Sequence, residues 1–492
     1  MKSLFKILLI TSFIFSQKSN TIAIVGVTLI DGNGGPAIKN ATVVISGQRI
    51  ISVGPGKSIR IPNSAKVING SGKFLIPGFV DTNVHISLGG SMESNVRYQD
   101  QRFGITLEGA QMHLKYGVTT IRDSYGIMKP LLDVRDAINR GDEIGPRMYV
   151  AGNIVGWGGF YAETFGLPTP TTLWQEQFND DITRGSGEEL ILMNPNELKE
   201  VMHKYIDQGV DFIKYGGTTH KTLGPTTLIF SPRQVKAIVD VTHKRGLIAE
   251  THAISPEGLL IALEAGVDLI QHPEILGVPI ADELLQLMVK KKVICSININ
   301  SHTGKKWQDY LSERSKPETT KAVSPRVLRP WPPAQKTAHQ IFVEDVKPNV
   351  QKLYRANAER IIRAGCIVSV ATDNDLGTAP EFSRDPGAFR AREPGFGTLI
   401  SIEGLVELGM TPMQAIVSAT KHGALASNAL DEYGTIEIGK YADLLLLDNN
   451  PLKDIGNIRS LSLVMTKGKV IDHQGLPTNP IYNREKPTKG FN

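Results

Sequence analysis

Between Phe79 and Asp375 short apolar runs of strand length alternate with segments of helical character, the pattern of a parallel sheet with crossover helices. Eight such runs can be counted, at 79–85 (FVDTNVH), 118–123 (VTTIRD), 148–155 (MYVAGNIV), 211–217 (DFIKYGG), 247–253 (LIAETHA), 268–273 (DLIQHP), 293–299 (VICSINI) and 367–375 (IVSVATDND). Several helices are marked at their start by a capping residue followed by proline: Asn194-Pro195, Ser231-Pro232, Ser255-Pro256 and Thr411-Pro412. Proline's missing N–H costs nothing there, because the first N–H groups of a helix have no partner within it. Eight strand-then-helix units, with no glycine-rich dinucleotide fingerprint after the first strand, favour a closed (β/α)8 TIM barrel over an open doubly wound sheet.

Outside this region the pattern changes to short alternating strands broken by Gly and Asn at hairpin spacing, both before residue 76 and after residue 431. A small β-sandwich built from both termini is the expected second unit. The division is then 21–76 for the first part of the sandwich, 77–430 for the barrel, 431–480 for the second part and 481–492 for a C-terminal tail. Long non-repetitive stretches at 156–187, 300–346 and 374–397 follow the third, seventh and eighth strands, so in a barrel all three crowd the C-terminal face as pocket and lid.

Residues 1–20 carry Lys2 and Lys6 ahead of an apolar run reaching Phe15, the pattern of a secretory signal peptide and too short to be a convincing spanning helix. Export to the periplasm or beyond, without stable membrane insertion after signal removal, is the expectation. A formal charge of +5 spread over 492 residues is too dilute to imply nucleic acid. Cys295 and Cys366, the two cysteines, sit in apolar strand-like stretches and read as buried small hydrophobes, not as a disulfide or a nucleophile. A small-molecule substrate is the expected partner, and a homo-oligomer stays open.

His85, Lys214, His252, His272 and Asp373 fall at or just past the ends of predicted strands. Imidazole nitrogen and carboxylate oxygen suit zinc and similar divalent ions, and converging strands bring together ligands distant in sequence. A lone histidine is more often a hydrogen-bonded loop or core residue, but five polar groups at the same end of successive strands are hard to explain that way. Lys214 is different in kind: an ammonium repels a metal, so it is either paired with a carboxylate such as Asp373 or converted by carbon dioxide into an anionic carbamate.

The stretches LIPGFVDTNVH, GVTTIRD, GPRMYVAG, DFIKYGG, THAISPEGLLIALEAGVDLIQH, SVATDND, ELGMTPMQAIVSATKHGA and GTIEIGKYADLLLLDNNPLKDI resemble the amidohydrolase superfamily, in its imidazolonepropionase-like and prolidase-like secreted branch. The resemblance covers nearly the whole chain beyond the signal. It implies that Lys214 is the carboxylated lysine (N6-carboxylysine), that His252 and His272 are ligands of the more buried metal, and that Asp373 binds metal and handles the proton of the attacking water. It also implies hydrolysis of an amide C–N bond by metal-activated water, with Asp373 and Lys214 as the catalytic pair and zinc as the first choice of metal.

Two departures stand out. The His-x-His pair usual after the first strand reads Asn83-Val84-His85, and a neutral amide oxygen is a weaker zinc ligand than imidazole, so one tight metal and a weak or absent second are expected. After the third strand a Gly-Gly-His stretch is replaced by Trp157-Gly158-Gly159-Phe160-Tyr161, aromatic surface whose expected role is packing. His302, Tyr215 and Arg329 are candidate substrate contacts, and Arg326, Arg384, Arg390 and Arg392 could join Arg329 in forking onto a carboxylate. N-acyl amino acids or dipeptides are the leading substrate expectation. A metal-dependent esterase, lactonase or phosphotriesterase, an imidazolonepropionase-like cyclic amidine hydrolase and a non-catalytic binding homologue are the rivals.

Overall fold

The computed structural model describes residues 21–165, 172–220, 226–275, 277–305, 307–308, 347–379 and 393–477. Residues 1–20, expected as a signal, the expected C-terminal tail, and Arg326, Arg329, Arg384, Arg390 and Arg392 lie outside them. Among the described residues no helix is long and apolar enough to cross a membrane.

Strands from the two ends of the chain share one sheet. The N-terminal strands are β1 (Thr21–Leu29), β2 (Ile38–Ser46), β3 (Arg49–Pro55), β4 (Lys66–Asn69) and β5 (Phe74–Pro77). β5 pairs antiparallel with a strand from the far end, Leu444–Leu447, which in turn pairs with Leu461–Thr466. On its other side β5 runs parallel to β1, with Leu29 opposite Leu75. Alternating apolar side chains, Ile24, Val43, Ile45, Leu75, Leu444 and Leu446 among them, form a hydrophobic cluster of their own on this sheet.

A single residue, Gly78, separates β5 from the first strand of the central unit, β6 (Phe79–His85). β6 pairs in parallel with β7 (Val118–Asp123), and β7 with β8 (Arg147–Val150). A second parallel sheet runs in order from β9 (Ile154–Val155) through β10 (Ile213–Gly216), β11 (Ala249–His252), β12 (Leu269–Gln271) and β13 (Ile294–Asn298) to β14 (Ile367–Ala371). The short β15 (Asn374–Asp375) returns to pair with β6. Hydrogen bonds link the margins of these sheets: Asp373 N donates to the Asn83 carbonyl (2.9 Å) and Asp211 N to that of Val150 (2.8 Å). The result is a TIM-barrel-like α/β fold, and all eight predicted strand segments are strands in it.

The helix starts marked in the sequence are helix starts in the structure. Asn194, Ser231 and Thr411 each close a capping box with a side chain three residues on, and Ser255 caps through Gly258 N. These helices cover the sheets with apolar faces that join one hydrophobic core, in which Cys295 and Cys366 are both free and buried. Parallel strands covered this way read as continuous apolar runs, which explains why the alternation at the chain ends disappears in the middle.

A buried pair of ionisable side chains sits inside the barrel-like unit. Arg122 on β7 donates to Glu250 Oε2 on β11 at 2.5 Å, with both groups excluded from solvent, and its guanidinium lies 3.8 Å over the Phe212 ring. Gln271 Nε2 donates to the other carboxylate oxygen at 2.7 Å.

Candidate active site

The five polar residues singled out at strand ends come together. His85, Lys214, His252, His272 and Asp373 all line one cavity of about 150 Å³ at the C-terminal ends of the strands. Strand alternation places Lys214 and Glu250 opposite each other in register on β10 and β11, and His252 two residues beyond Glu250 on the same face. His272 and Asp373 come just after β12 and β14 with φ of 58° and 54°. This left-handed backbone is uncommon outside glycine, and here it ends the strand and turns the side chain toward the cavity.

Lys214 is buried, and its Nζ donates to Gln271 Oε1 at 2.5 Å and to Ser124 Oγ at 3.0 Å. Both partners are neutral, so the structure does not pair the lysine with Asp373. Burial lowers its pKa to about 8, against the opposing pull of Glu250, Asp373 and Asp123. His252 and His272 are likewise held neutral by burial, the former well below the ordinary imidazole value and the latter at about 4. Buried Asp123, whose Oδ2 accepts from Ile86 N at 2.7 Å, is raised by the same desolvation to about 7.

Asn83 is fully engaged. Ser124 Oγ donates to its Oδ1 at 2.5 Å, and its Nδ2 donates to Asp373 Oδ1 at 3.1 Å. His85 Nε2 meets the same carboxylate oxygen at 2.9 Å, while its Nδ1 contacts the Tyr125 carbonyl at 3.0 Å. A hydrogen-bonded chain therefore runs from Arg122 through Glu250, Gln271, Lys214, Ser124 and Asn83 to Asp373.

Among the described residues no three His, Cys, Asp or Glu side chains stand grouped to hold a metal ion. His85 and Asp373 are occupied with each other instead. The donor types nonetheless suit a divalent cation, and His252 Nε2 is a buried nitrogen with no hydrogen-bond partner, a state that costs free energy unless something binds it.

The other sequence candidates fall elsewhere. Tyr215 is fully buried in the hydrophobic core, on the strand face opposite Lys214, and does not line the cavity. His302 stacks on the Tyr354 ring, centroids 4.6 Å apart, and is also absent from the lining. Trp157 and Phe160, expected as packing, do line it. Gly216 makes this possible: a Cβ there would collide with the Trp157 indole. The indole lies 4.9 Å from the His252 ring and donates through Nε1 to the Thr218 carbonyl at 3.1 Å.

Tyr125, Phe165 and His220 also line the cavity and were not legible as site residues. Tyr125 and His220 sit in loops past strands and Phe165 in a short 3-10 turn (Glu163–Phe165), where no periodicity marks them. Arg122 and Glu250 did carry a signal, since charged residues of opposite sign inside two apolar strands must find each other.

Comparison with known proteins bears on this geometry. The amidohydrolase family model matches residues 74–471. Ochratoxinase from Aspergillus niger is 27% identical over 453 residues, covering 87% of this chain and 81% of that protein. The solved structure of molinate hydrolase matches with a TM-score of 0.81 at 29% identity, over 96% of this chain and 99% of that one. Phenylurea hydrolase B matches with a TM-score of 0.80 at 28% identity, over 95% and 100%. The chain therefore belongs to the amidohydrolase family, whose members generally use a divalent metal, and is a hydrolase acting on carbon–nitrogen bonds.

Proposed function

We propose that this enzyme hydrolyses the C–N bond of an amide or closely related carbonyl compound with one tightly held divalent cation, zinc first, among His252, His272 and Lys214 in its N6-carboxy form. The scaffold of this reading is a closed (β/α)8 barrel with a two-terminus β-sandwich, in an exported protein. The observation that carries it is the convergence of those three residues with His85 and Asp373 on one cavity.

When bound, such a cation polarises the substrate carbonyl and lowers the pKa of water beside it. The chain's own groups do the rest. Burial keeps His252 and His272 neutral, with lone pairs available to a metal. A lysine with a pKa of about 8 has a deprotonated fraction near neutral pH, the form that reacts with carbon dioxide. Asp373 accepts the proton of the attacking water and returns it to the leaving nitrogen, while Asn83 and His85 fix its carboxylate from two sides.

N-acyl amino acids and dipeptides suit the loop arginines, which lie outside the described residues. The described wall is aromatic and carries no arginine, which favours an apolar group beside the scissile bond. The test pairs an aromatic acyl amide with and without a free carboxylate, plus the matched ester, before and after chelation and zinc return. Chelator-sensitive amide turnover is the expected result. Ester turnover alone would point to an esterase, ring-opened product from a cyclic amidine to an imidazolonepropionase-like enzyme, ammonia release to a deaminase, and neither turnover nor bound metal to a binding homologue.

Metal content should be close to one tight ion per chain, because both polar atoms of Asn83 are spent on Ser124 and Asp373. Asn83→His should raise occupancy of a second site under identical dialysis. Two tight ions in the unmodified protein would refute the single-metal reading.

A further inference from the structure

The aromatic wall contains a group of three stacked rings that the catalytic reading leaves without a role. Phe165 stacks on Tyr125, centroids 5.6 Å apart with planes at 22°, and on His220, 5.0 Å apart at 14°. Trp157 and Phe160 close around it at 5.5 and 4.9 Å. The stack is anchored at Thr164: its Oγ1 donates to Glu188 Oε1 at 2.6 Å and accepts from Gly158 N at 2.9 Å, and its carbonyl accepts from His220 N at 3.1 Å. One residue thus ties together the turn that carries Phe165, the loop after β9 and the loop after β10.

From this geometry we infer that Phe165 sets the size of substrate the site accepts, limiting the apolar group beside the scissile bond to about one six-membered ring. The whole cavity, polar groups included, is about 150 Å³, no larger than an apolar cavity known to take benzene, which leaves room for at most one ring beside the scissile bond. Phe165 is stacked against both rings and only partly exposed at the cavity wall, so it fills space that a second fused ring would need. Its two stacking neighbours are flat, and removing Phe165 opens a space against Tyr125 and His220 in which a larger flat group stacks. The inference takes its chemistry from the amide-hydrolysis reading, and its binding test stands apart from that reading.

The experiment measures kcat/KM for N-benzoyl and N-(2-naphthoyl) versions of one amide in the unmodified enzyme, Phe165→Ala and Phe165→Trp, and the binding of benzamide and 2-naphthamide to each by calorimetry. The unmodified enzyme should prefer the single ring. Phe165→Ala should raise the naphthoyl-to-benzoyl ratio by at least about tenfold, the discrimination that a modest steric change in a pocket provides. Phe165→Trp keeps the aromatic stack and should lower benzoyl turnover, so it tests the inference even if the alanine variant fails to fold. Phe165-dependent size selection in binding, without amide turnover, would keep the size limit and remove the hydrolysis reading. An unmodified enzyme that takes the naphthyl compounds as readily as the phenyl ones would overturn the inference. So would ratios unmoved in both variants, or neither turnover nor binding of the single-ring compounds.

Discussion

His252→Ala and His272→Ala are each expected to abolish metal-dependent hydrolysis while leaving a folded protein. Loss of partners one layer further out from a metal already costs about 10–100-fold in affinity or activity, so removing a ligand should cost on the order of 10³-fold or more. The fold should survive, because His252 Nε2 has no hydrogen-bond partner to lose, and the ring's aromatic neighbours are the Trp157, His220 and His272 rings. Far-UV circular dichroism and bound metal, read beside turnover, separate the two effects. Full activity in either variant would sink the assignment of the tight site. Lys214→Ala extends the test: normal metal content there would make the lysine a structural hydrogen-bond donor to Gln271 and Ser124 and nothing more.

The largest expected effect on stability lies below the site. Arg122→Met leaves Glu250 ionisable and excluded from solvent with Gln271 as its remaining hydrogen-bond donor, and breaking a buried pair from one side costs about 3–5 kcal/mol. Replacing both partners, Arg122→Met with Glu250→Gln, should recover most of that loss, because the penalty comes from the stranded charge more than from the lost attraction. Urea unfolding midpoints of the unmodified protein, the single variant and the double variant decide it. A single variant as stable as the original would show that water reaches Glu250 or that it takes up a proton, consistent with the upward shift burial already imposes on it.

How far the chain announces its own structure depends on what sets each feature. Strand positions and helix starts are local, fixed by apolar runs and by caps such as Asn194-Pro195, and they were legible. Lys214, His252, His272, His85 and Asp373 were legible because a barrel puts strand ends on one face, so sequence position stands in for location in space. Tyr215 shows where that shortcut stops: one residue along from Lys214, it faces the other way, and only strand alternation tells the two apart. Phe165 and His220 owe their place to contacts between loops, above all the hydrogen bond from His220 N to the Thr164 carbonyl, and no spacing in the sequence encodes it. Asn83 was read as a weakened ligand. Its polarity in the structure, amide nitrogen toward Asp373 and oxygen toward Ser124, shows a second task, that of orienting the carboxylate.

The sheet shared by the two chain ends bears on the order in which the protein can be completed. During synthesis β1 to β5 emerge first, yet the strand that pairs with β5, Leu444–Leu447, is made only after the whole central unit. Until then β5 offers an open edge, the kind of surface that pairs wrongly with other chains. Closing it spans some 370 residues of chain, a contact of very high sequence separation and so a slow one. A ribosome that stalls near residue 440, or a protease that cuts there before the last strands have paired, therefore leaves more than a shortened enzyme: it leaves an unpaired template strand beside an apolar cluster stripped of Leu444, Leu446 and Met465.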